Sequence, residues 1–324
     1  MSPLRAVALG GGHGLHATLT ALRRLTDELT AVVTVADDGG SSGRLRRELG
    51  LLPPGDLRQA LAALAADGDD GSLWADVFQH RFGGSGALAG HAVGNLLLAG
   101  LFEVLGDPVR ALDEACGLVG ARGRVLPMSP EPLDIEAEVT GLENGELSRI
   151  RGQVAVASTP GQVLRITLRN PGHPGAGPRA CEEAVQAVLD ADVVVLGPGS
   201  WFTSVLPHLL VPELHDALIR TSATRVVILN LVPQPGETAG FSPERHLDVL
   251  FEHAPRLRVD AVIADRDSVP TPAGLRRAAA ELGGRAYLAD IADPDVAGRH
   301  DPDALAGCVR EALGSESGEE GTWR

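Results

Sequence analysis

The sequence predicts an α/β protein, with a Rossmann-like, doubly wound parallel sheet in a three-layer α/β/α arrangement and a small β-rich insertion. A buried apolar run, a glycine-rich turn and a helical pattern follow one another over residues 4–25. The same order returns over residues 192–209, and turn-rich, alternating sequence over 121–178 separates the two stretches. Strands that alternate with helices pair in parallel through right-handed crossovers.

The first half begins with a strand–helix–strand unit, and five helical patterns follow it. The unit comprises a strand at 4–9, a helix at 14–25 and a second strand at 29–37. Apolar residues at helical spacing then predict helices at 44–49, 56–66, 73–82, 88–105 and 107–117.

The second half repeats the α/β alternation after the insertion, in which Asn144-Gly145 signals a hairpin. We therefore assign residues 1–120 and 179–313 to one domain, 121–178 to the insertion and 314–324 to a disordered tail. The predicted strands are 192–197, 224–231 and 259–265, and the helices lie near 201–209, 243–252, 272–282 and 302–313.

The composition excludes several function classes. All 28 basic residues are arginine, so Schiff-base enzymes, pyridoxal-phosphate enzymes and Walker-type phosphate loops, each of which needs a lysine, are excluded. The net charge of −15 argues against a broad nucleic-acid or anionic-membrane surface. The three cysteines lie far apart and form neither a zinc motif nor a disulfide framework.

The apolar stretch at 87–106 contains His91, Asn95 and Glu103, which favours a buried helix over a membrane span. No basic segment precedes an apolar signal-like region, so we expect a cytoplasmic protein.

The opening glycine loop is the first candidate phosphate site. Gly10, Gly11, Gly12 and Gly14 separate a strand from a helix, whose N-terminal N–H groups can bind an anion. Residues 12–17 also fit the dinucleotide fingerprint G-x-G-x-x-A, which leaves a nicotinamide-dependent oxidoreductase as a weak third alternative.

A second candidate lies at "DDGGSSGRLR", where a carboxylate pair ends the second strand. Asp37 and Asp38 could contact a ribose or hold Mg²⁺, and a donor-rich loop follows them. Asp56 in "PPGDLR" is expected to be a helix N-cap. His91 and Asn95 are expected to share one helix face.

Three later motifs complete the candidate site. "GPGS" at 197–200 repeats the strand–turn–helix anion motif, "NLVPQPGET" at 230–238 offers amides and a carboxylate, and Arg299 precedes the expected N-cap Asp301. The predicted ligand-binding residues are Gly11, Gly12, His13, Gly14, Asp37, Asp38, Ser41, Ser42, Asn95, Gly197, Gly199, Ser200, Thr203, Asn230, Gln234, Glu237 and Arg299.

These motifs together resemble the YvcK (GlmR) family of gluconeogenesis factors, which is related to the CofD-like 2-phospho-L-lactate transferases. The resemblance covers residues 4 to about 312 and rests on "GGGHGL", "TVADDGGSSGRLRRELG", "PPGDLRQAL", "HAVGNLLLAGL", "GPGSWFTSVLP", "NLVPQPGETAGFS" and "RHD". The family usually has Thr or Ser where this chain has His13.

The resemblance implies a cytoplasmic protein that binds a UDP-sugar, notably UDP-N-acetylglucosamine, with Arg299 as a ligand-binding arginine. It implies a role that couples carbon metabolism to cell-wall precursor supply and cell shape, with a protein partner in amino-sugar synthesis and threonine phosphorylation in some relatives. From the net charge and the apolar stretch at 87–106 we expect no nucleic-acid partner and no membrane span. No cofactor is expected to be required, Mg²⁺ remains possible, and homo-oligomerisation stays open.

Two functions from different classes remain. The first is a UDP-sugar-binding regulator without turnover, which the "DDGGSSGRLR" block favours. The second is a transferase of phosphoryl or nucleotidyl groups, in which Asp37 and Asp38 would hold Mg²⁺.

Overall fold

The computed structural model describes residues 3–142, 146–234 and 236–314. The predicted hairpin turn at Asn144-Gly145 and residues 315–324 of the predicted tail 314–324 lie outside these ranges, whereas Gly314 is the last residue of a helix.

Seven parallel strands form the central sheet, and this confirms the predicted fold class. Their order is β10-β9-β8-β7-β1-β2-β3. Most of the strands are buried apolar runs, as expected for a parallel sheet covered by helices, whereas β10 at the edge of the sheet is only half-buried. Their bounds are β1 Ala6–Gly10, β2 Leu29–Val33, β3 Arg124–Pro127, β7 Val193–Leu196, β8 Thr224–Ile228, β9 Ala261–Asp265 and β10 Arg285–Ala289.

Helices cover both faces of this sheet. The bounds are α1 Gly12–Leu22, α2 Gly40–Leu49, α3 Pro54–Leu64, α4 Asp69–Gln79, α5 Val93–Leu105, α6 Pro108–Leu118, α8 Glu182–Asp190, α9 Pro212–Arg220, α10 Pro243–His253, α11 Pro272–Glu281 and α12 Pro302–Gly314. Helix α1 packs against α3 and α12, whereas α8 packs against α9 and α10 against α11. The crossovers that follow β1 and β7 run in opposite directions. Right-handed connections therefore place α1, α3 and α12 on one face of the sheet and α8, α9, α10 and α11 on the other.

A separate three-stranded antiparallel sheet, in the order β5-β4-β6, forms the insertion. Its strands are β4 Asp134–Thr140, β5 Ser148–Arg151 and β6 Gln162–Arg169, with the short helix α7 Gln153–Ala157 between the last two. Strand β3 falls inside the predicted insertion but pairs with β2, and this corrects the predicted boundary.

The structure differs from several predicted elements. The helix predicted near 201–209 is instead a π-helical turn at Trp201–Val205 followed by a 3₁₀ turn at Leu206–Leu210. Helix α5 begins at Val93, so His91 precedes it and does not share a helix face with Asn95. Strand β10 is absent from the prediction because the run "RAYLA" contains no β-branched residue and begins with an exposed arginine. Asp301 caps the N-terminus of α12, as predicted, because its Oδ1 accepts hydrogen bonds from the amides of Asp303 and Ala304 at 2.8 and 2.9 Å.

The chain winds outwards in opposite directions from β1 and from β7. Strands β2 and β3 lie on one side of this central pair, and β8, β9 and β10 lie on the other. Leu9 of β1 lies level with Leu196 of β7, so the glycine-rich loops that follow both strands meet at the same edge of the sheet. In open α/β sheets, ligands bind at such a switch point, outside the carboxyl ends of the strands. The chain topology therefore places the candidate site there.

Candidate functional site

A cavity of about 520 Å³ lies at this switch point. It is bounded by the start and one face of α1, the loop after β7, the segment after β8 and the segment that enters α12. Its walls are formed by His13, Gly14, His16, Ala17, Thr20, Pro198, Gly199, Asn230, Leu231, Val232, Gln234, Ala297, Gly298, Arg299, His300 and Pro302. The volume and the mixture of apolar and polar walls are typical of a small-molecule site.

The first glycine loop touches the second one through the backbone alone. A Cβ atom on Gly14 would lie 1.9 Å from the carbonyl oxygen of Pro198, so any side chain would force the loops apart. Gly12 has a φ of +56°, in the left-handed region that favours glycine. The first-turn amides of a helix have no carbonyl partner within it, and at the start of α1 His13 and Gly14 line the cavity.

Asp56 approaches the same loop from the side of α3 and accepts a hydrogen bond from the amide of Gly12. The prediction that Asp56 is an N-cap of its own helix is wrong, because α3 begins at Pro54 and Asp56 is its third residue. The carboxyl group instead partners the first turn of α1. Removal from water, together with the nearby Asp37 carboxylate, raises the pKa of Asp56 to about 7.

The predicted carboxylate pair does not converge on one point. Asp37 Oδ1 accepts from the amide of Gly39 at 2.9 Å, and burial raises the pKa of Asp37. Asp38 Oδ1 accepts from the amide of Val154 at 2.9 Å and so ties the loop to the insertion. Among the described residues, no group of three or more His, Cys, Asp or Glu side chains is placed to hold a metal ion.

Ser41 and Asn95 belong to a buried polar network behind the first loop. Asn95 Nδ2 donates to Ser41 Oγ at 3.0 Å, and Ser41 Oγ lies 2.9 Å from His91 Nδ1. Arg58 Nε donates to Asn95 Oδ1 at 2.9 Å. Ser42 Oγ nearby accepts from the amide of Gly55 at 3.0 Å. These contacts join α2, α3 and α5, and none of these residues lines the cavity.

In the second glycine loop, several of the predicted ligand-binding side chains already form hydrogen bonds with other groups of the protein. Asn230 Oδ1 accepts from the amide of Gly199 at 2.7 Å, and Asn230 Nδ2 donates to the carbonyl of Gly199 at 2.8 Å. This reciprocal pair holds the loop against the segment after β8. The Gly199 amide, expected to be free for a ligand phosphate, is therefore occupied in this structure.

Glu237 is buried beneath the same loop and holds the π-helical turn. Its carboxylate accepts from the amide of Phe202 at 2.8 Å and from Thr203 Oγ1 at 2.7 Å, and it also bonds with the side chain of Ser200. Burial raises the pKa of Glu237, and these donors partly offset the shift. Glu237, Thr203 and Ser200 thus form one positioning cluster.

Arg299 contributes a cation to the cavity wall. Its side chain is 58% exposed, and its Nε donates to Asp293 Oδ2 at 2.7 Å. The guanidinium holds the pKa of Asp293 below its usual range. An anionic ligand would therefore share Arg299 with Asp293 or displace it.

The structure brings six of the predicted residues together around the cavity, namely His13, Gly14, Gly199, Asn230, Gln234 and Arg299. The sequence analysis did not assign His16, Ala17, Thr20 or His300 to the site. Residues 13, 17 and 20 recur at helical spacing on α1, and this periodicity is the signal that could have identified the α1 wall.

The cavity, the two glycine loops and the doubly wound sheet define an α/β protein with a candidate small-molecule site at the switch point of its sheet. Comparison with known proteins narrows this class. The model of the family described as 2-phospho-L-lactate transferase CofD matches residues 6–294. A Mycobacterium tuberculosis (strain ATCC 25618 / H37Rv) protein is 59% identical over 96% of this chain and 92% of its own length.

Two further similarities indicate the same family. A protein named gluconeogenesis factor from Halalkalibacterium halodurans is 38% identical over 83% of this chain and 80% of its own length. The crystal structure of a UPF0052 family member from Bacillus halodurans superposes with a TM-score of 0.84 at 33% identity, over 96% of this chain and 99% of that one. The chain belongs to the CofD family and to its UPF0052 (YvcK) branch, as predicted.

No helix among the described residues is both long enough and apolar enough to cross a membrane.

Proposed function

We propose that this chain is a cytoplasmic regulator that binds a UDP-sugar, notably UDP-N-acetylglucosamine, in the cavity at the switch point. One observation carries the proposal: the cavity joins the first turn of α1 to the cation of Arg299 at the edge where β1 and β7 diverge. A helix N-terminus and an arginine are complementary to a diphosphate.

The remaining walls suit the uncharged parts of such a ligand. Leu231, Val232 and Ala297 provide apolar surface, and Thr20 and Gln234 provide polar groups. The name of the Halalkalibacterium halodurans relative supports a role in carbon metabolism. The further roles in cell-wall precursor supply and cell shape, and a partner in amino-sugar synthesis, are part of the same proposal.

A second candidate function, a Mg²⁺-dependent transferase, is favoured by Asp37 and Asp56. The two carboxyl groups lie close enough for Asp37 to raise the pKa of Asp56, and Asp56 contacts the first glycine loop. In that case Mg²⁺ would neutralise charge on the phosphates. Asp37 would hold it with Asp56 rather than with Asp38, whose carboxylate faces the insertion.

Calorimetric titration separates the two functions. The regulator predicts saturable binding of UDP-N-acetylglucosamine and full chemical recovery of the ligand after prolonged incubation with Mg²⁺. Release of UDP or UMP at turnover rates would instead establish the transferase. Absence of binding to any UDP-sugar, with binding of NAD(P) or guanine nucleotides, would refute both proposals for the ligand.

A further inference from the structure

Among the described residues, two buried side-chain atoms at the cavity have no hydrogen-bond partner. These are Nε2 of His300 and Oε1 of Gln234, both fully shielded from solvent. The His300 side chain is only 5% exposed, although it lies in the cavity wall. Buried polar atoms in native proteins are almost always paired, so an unpaired one beside a cavity points to a ligand atom.

The hydrogen-bond partner of Nδ1 in His300 decides whether a ligand atom at Nε2 must be a hydrogen-bond donor or acceptor. The His300 ring hydrogen-bonds with the backbone carbonyl of Leu229, and because Nε2 has no partner we assign this bond, and the ring hydrogen, to Nδ1. Burial lowers the pKa of His300 and keeps the ring neutral. In a neutral imidazole with hydrogen on Nδ1, Nε2 is an acceptor. Gln234 Oε1 is also an acceptor, so both atoms require donors.

His246 provides an internal comparison. Its Nδ1 lies 2.9 Å from the carbonyl of Ser242 and its Nε2 is buried without a partner, as in His300. Its ring, however, packs edge-on against Trp201 and Phe241, with centroids 5.3 and 5.4 Å away, and it does not line the cavity. Aromatic packing thus occupies the surroundings of His246, whereas the His300 side chain forms part of the cavity wall.

We propose that Nε2 of His300, assisted by Oε1 of Gln234, determines ligand specificity by accepting a hydrogen bond from an O–H or N–H group of the bound nucleotide sugar. This inference rests on the proposed function and assigns a chemical requirement to its site. The donor is a hydroxyl of the ribose or hexose, or the imide N–H of uracil. A ligand without this donor leaves a buried acceptor unpaired and binds more weakly.

Two substitutions separate ligand recognition from a structural role. In His300→Asn, the side-chain amide can replace Nδ1 and keep the bond to Leu229, but the acceptor at the Nε2 position is lost. In His300→Gln, the amide oxygen can replace Nε2, but the bond to Leu229 is lost. We expect UDP-N-acetylglucosamine affinity to fall about tenfold or more for Asn and to stay within about threefold for Gln. The opposite order overturns the proposal.

Control variants test whether the effect belongs to the cavity. His246→Asn and His246→Gln should leave affinity unchanged, because that ring lies outside the cavity wall. Gln234→Met, which removes the second acceptor at similar size, should weaken binding in the same direction as His300→Asn. Equal losses for the His246 and His300 variants would show that stability alone is being measured, and would overturn the proposal.

Ligand analogues identify the donor. Wild type and His300→Asn are titrated with UDP, 2′,3′-dideoxy-UDP-N-acetylglucosamine and the N3-methyluracil analogue of the sugar nucleotide. The analogue that lacks the relevant donor should abolish the affinity difference between the two proteins, and so assign the donor to the hexose, the ribose or the base. An undiminished difference with all three analogues overturns the proposal.

A ligand-free measurement keeps this inference distinguishable from the proposed function. Long-range ¹H–¹⁵N NMR of histidine-labelled protein at pH 7 should show His300 neutral, with hydrogen on Nδ1 and a bare Nε2. A signal for protonated Nε2 overturns the inference whatever the ligand. If wild type binds no UDP-sugar, the proposed function fails, while the tautomer still decides whether His300 is an acceptor.

Discussion

Asp56→Asn tests the electrostatics of the first glycine loop. The folded carboxyl group has a pKa of about 7, against an ordinary value of 3.8. Between these values the folded state binds more protons than the unfolded chain, so the free energy of unfolding falls as the pH rises from about 4 to about 7. Because one pKa unit corresponds to about 1.36 kcal/mol, the difference between these two pKa values sets an upper limit of about 4 kcal/mol on this loss of unfolding free energy.

Asn cannot ionise, yet its Oδ1 can still accept from the amide of Gly12. The variant should therefore lose this pH-dependent penalty. Relative to wild type, its free energy of unfolding should rise by about 2–3 kcal/mol more at pH 8 than at pH 5.

Urea unfolding at half-unit pH steps, followed by circular dichroism, measures this difference. Asp107→Asn is the matched control, because Asp107 is an exposed carboxylate that also partners the first-turn amides of a helix, at Val109 and Arg110. Because Asp107 is exposed, Asp107→Asn should lack the additional gain in the free energy of unfolding at pH 8 that is expected for Asp56→Asn. Parallel profiles for Asp56→Asn and wild type would refute the reasoning, because they would show that Asp56 ionises in the folded protein as readily as in the unfolded chain.

Three further substitutions probe the contacts around the cavity. Gly14→Ala should destabilise the fold by about 1–3 kcal/mol and weaken ligand binding, because its methyl group would overlap the carbonyl of Pro198; thermal unfolding and titration measure both effects. Asn230→Ala removes both side-chain bonds to Gly199, so it should cost about 1–3 kcal/mol and speed amide hydrogen exchange at that glycine. Arg299→Ala should weaken UDP-sugar binding by about 1.5–3 kcal/mol, measured by calorimetry.

Each of these three predictions has an outcome that would contradict it. Wild-type stability in Gly14→Ala would show that the loops are not in backbone contact. Unchanged exchange at Gly199 in Asn230→Ala would mean that the amide is protected by another group. For Arg299, the control is Arg266→Ala, an exposed arginine paired with Asp290 outside the cavity wall. Equal losses in the two arginine variants would remove Arg299 from the site.

The fold class was predictable because it depends on local patterns. Buried β-branched runs such as "DVVVLG" and the glycine turns after them are readable from neighbouring residues alone. Strand β10 was not predicted because "RAYLA" contains no β-branched residue. Strand β3 was assigned to the insertion because its pairing with β2 joins residues more than 90 positions apart.

The amino-acid sequence by itself determined the α/β alternation, the two glycine loops, the absence of lysine and the family motifs. Only the tertiary structure decided which polar groups remain available to a ligand. It paired Asn230 with Gly199 and Glu237 with Thr203, turned Asp38 towards the insertion and directed Asp56 to the first turn of α1. Hydrogen-bond partners distant in the chain satisfy these groups, so no local pattern can reveal them. The same packing left Nε2 of His300 unpaired at the cavity.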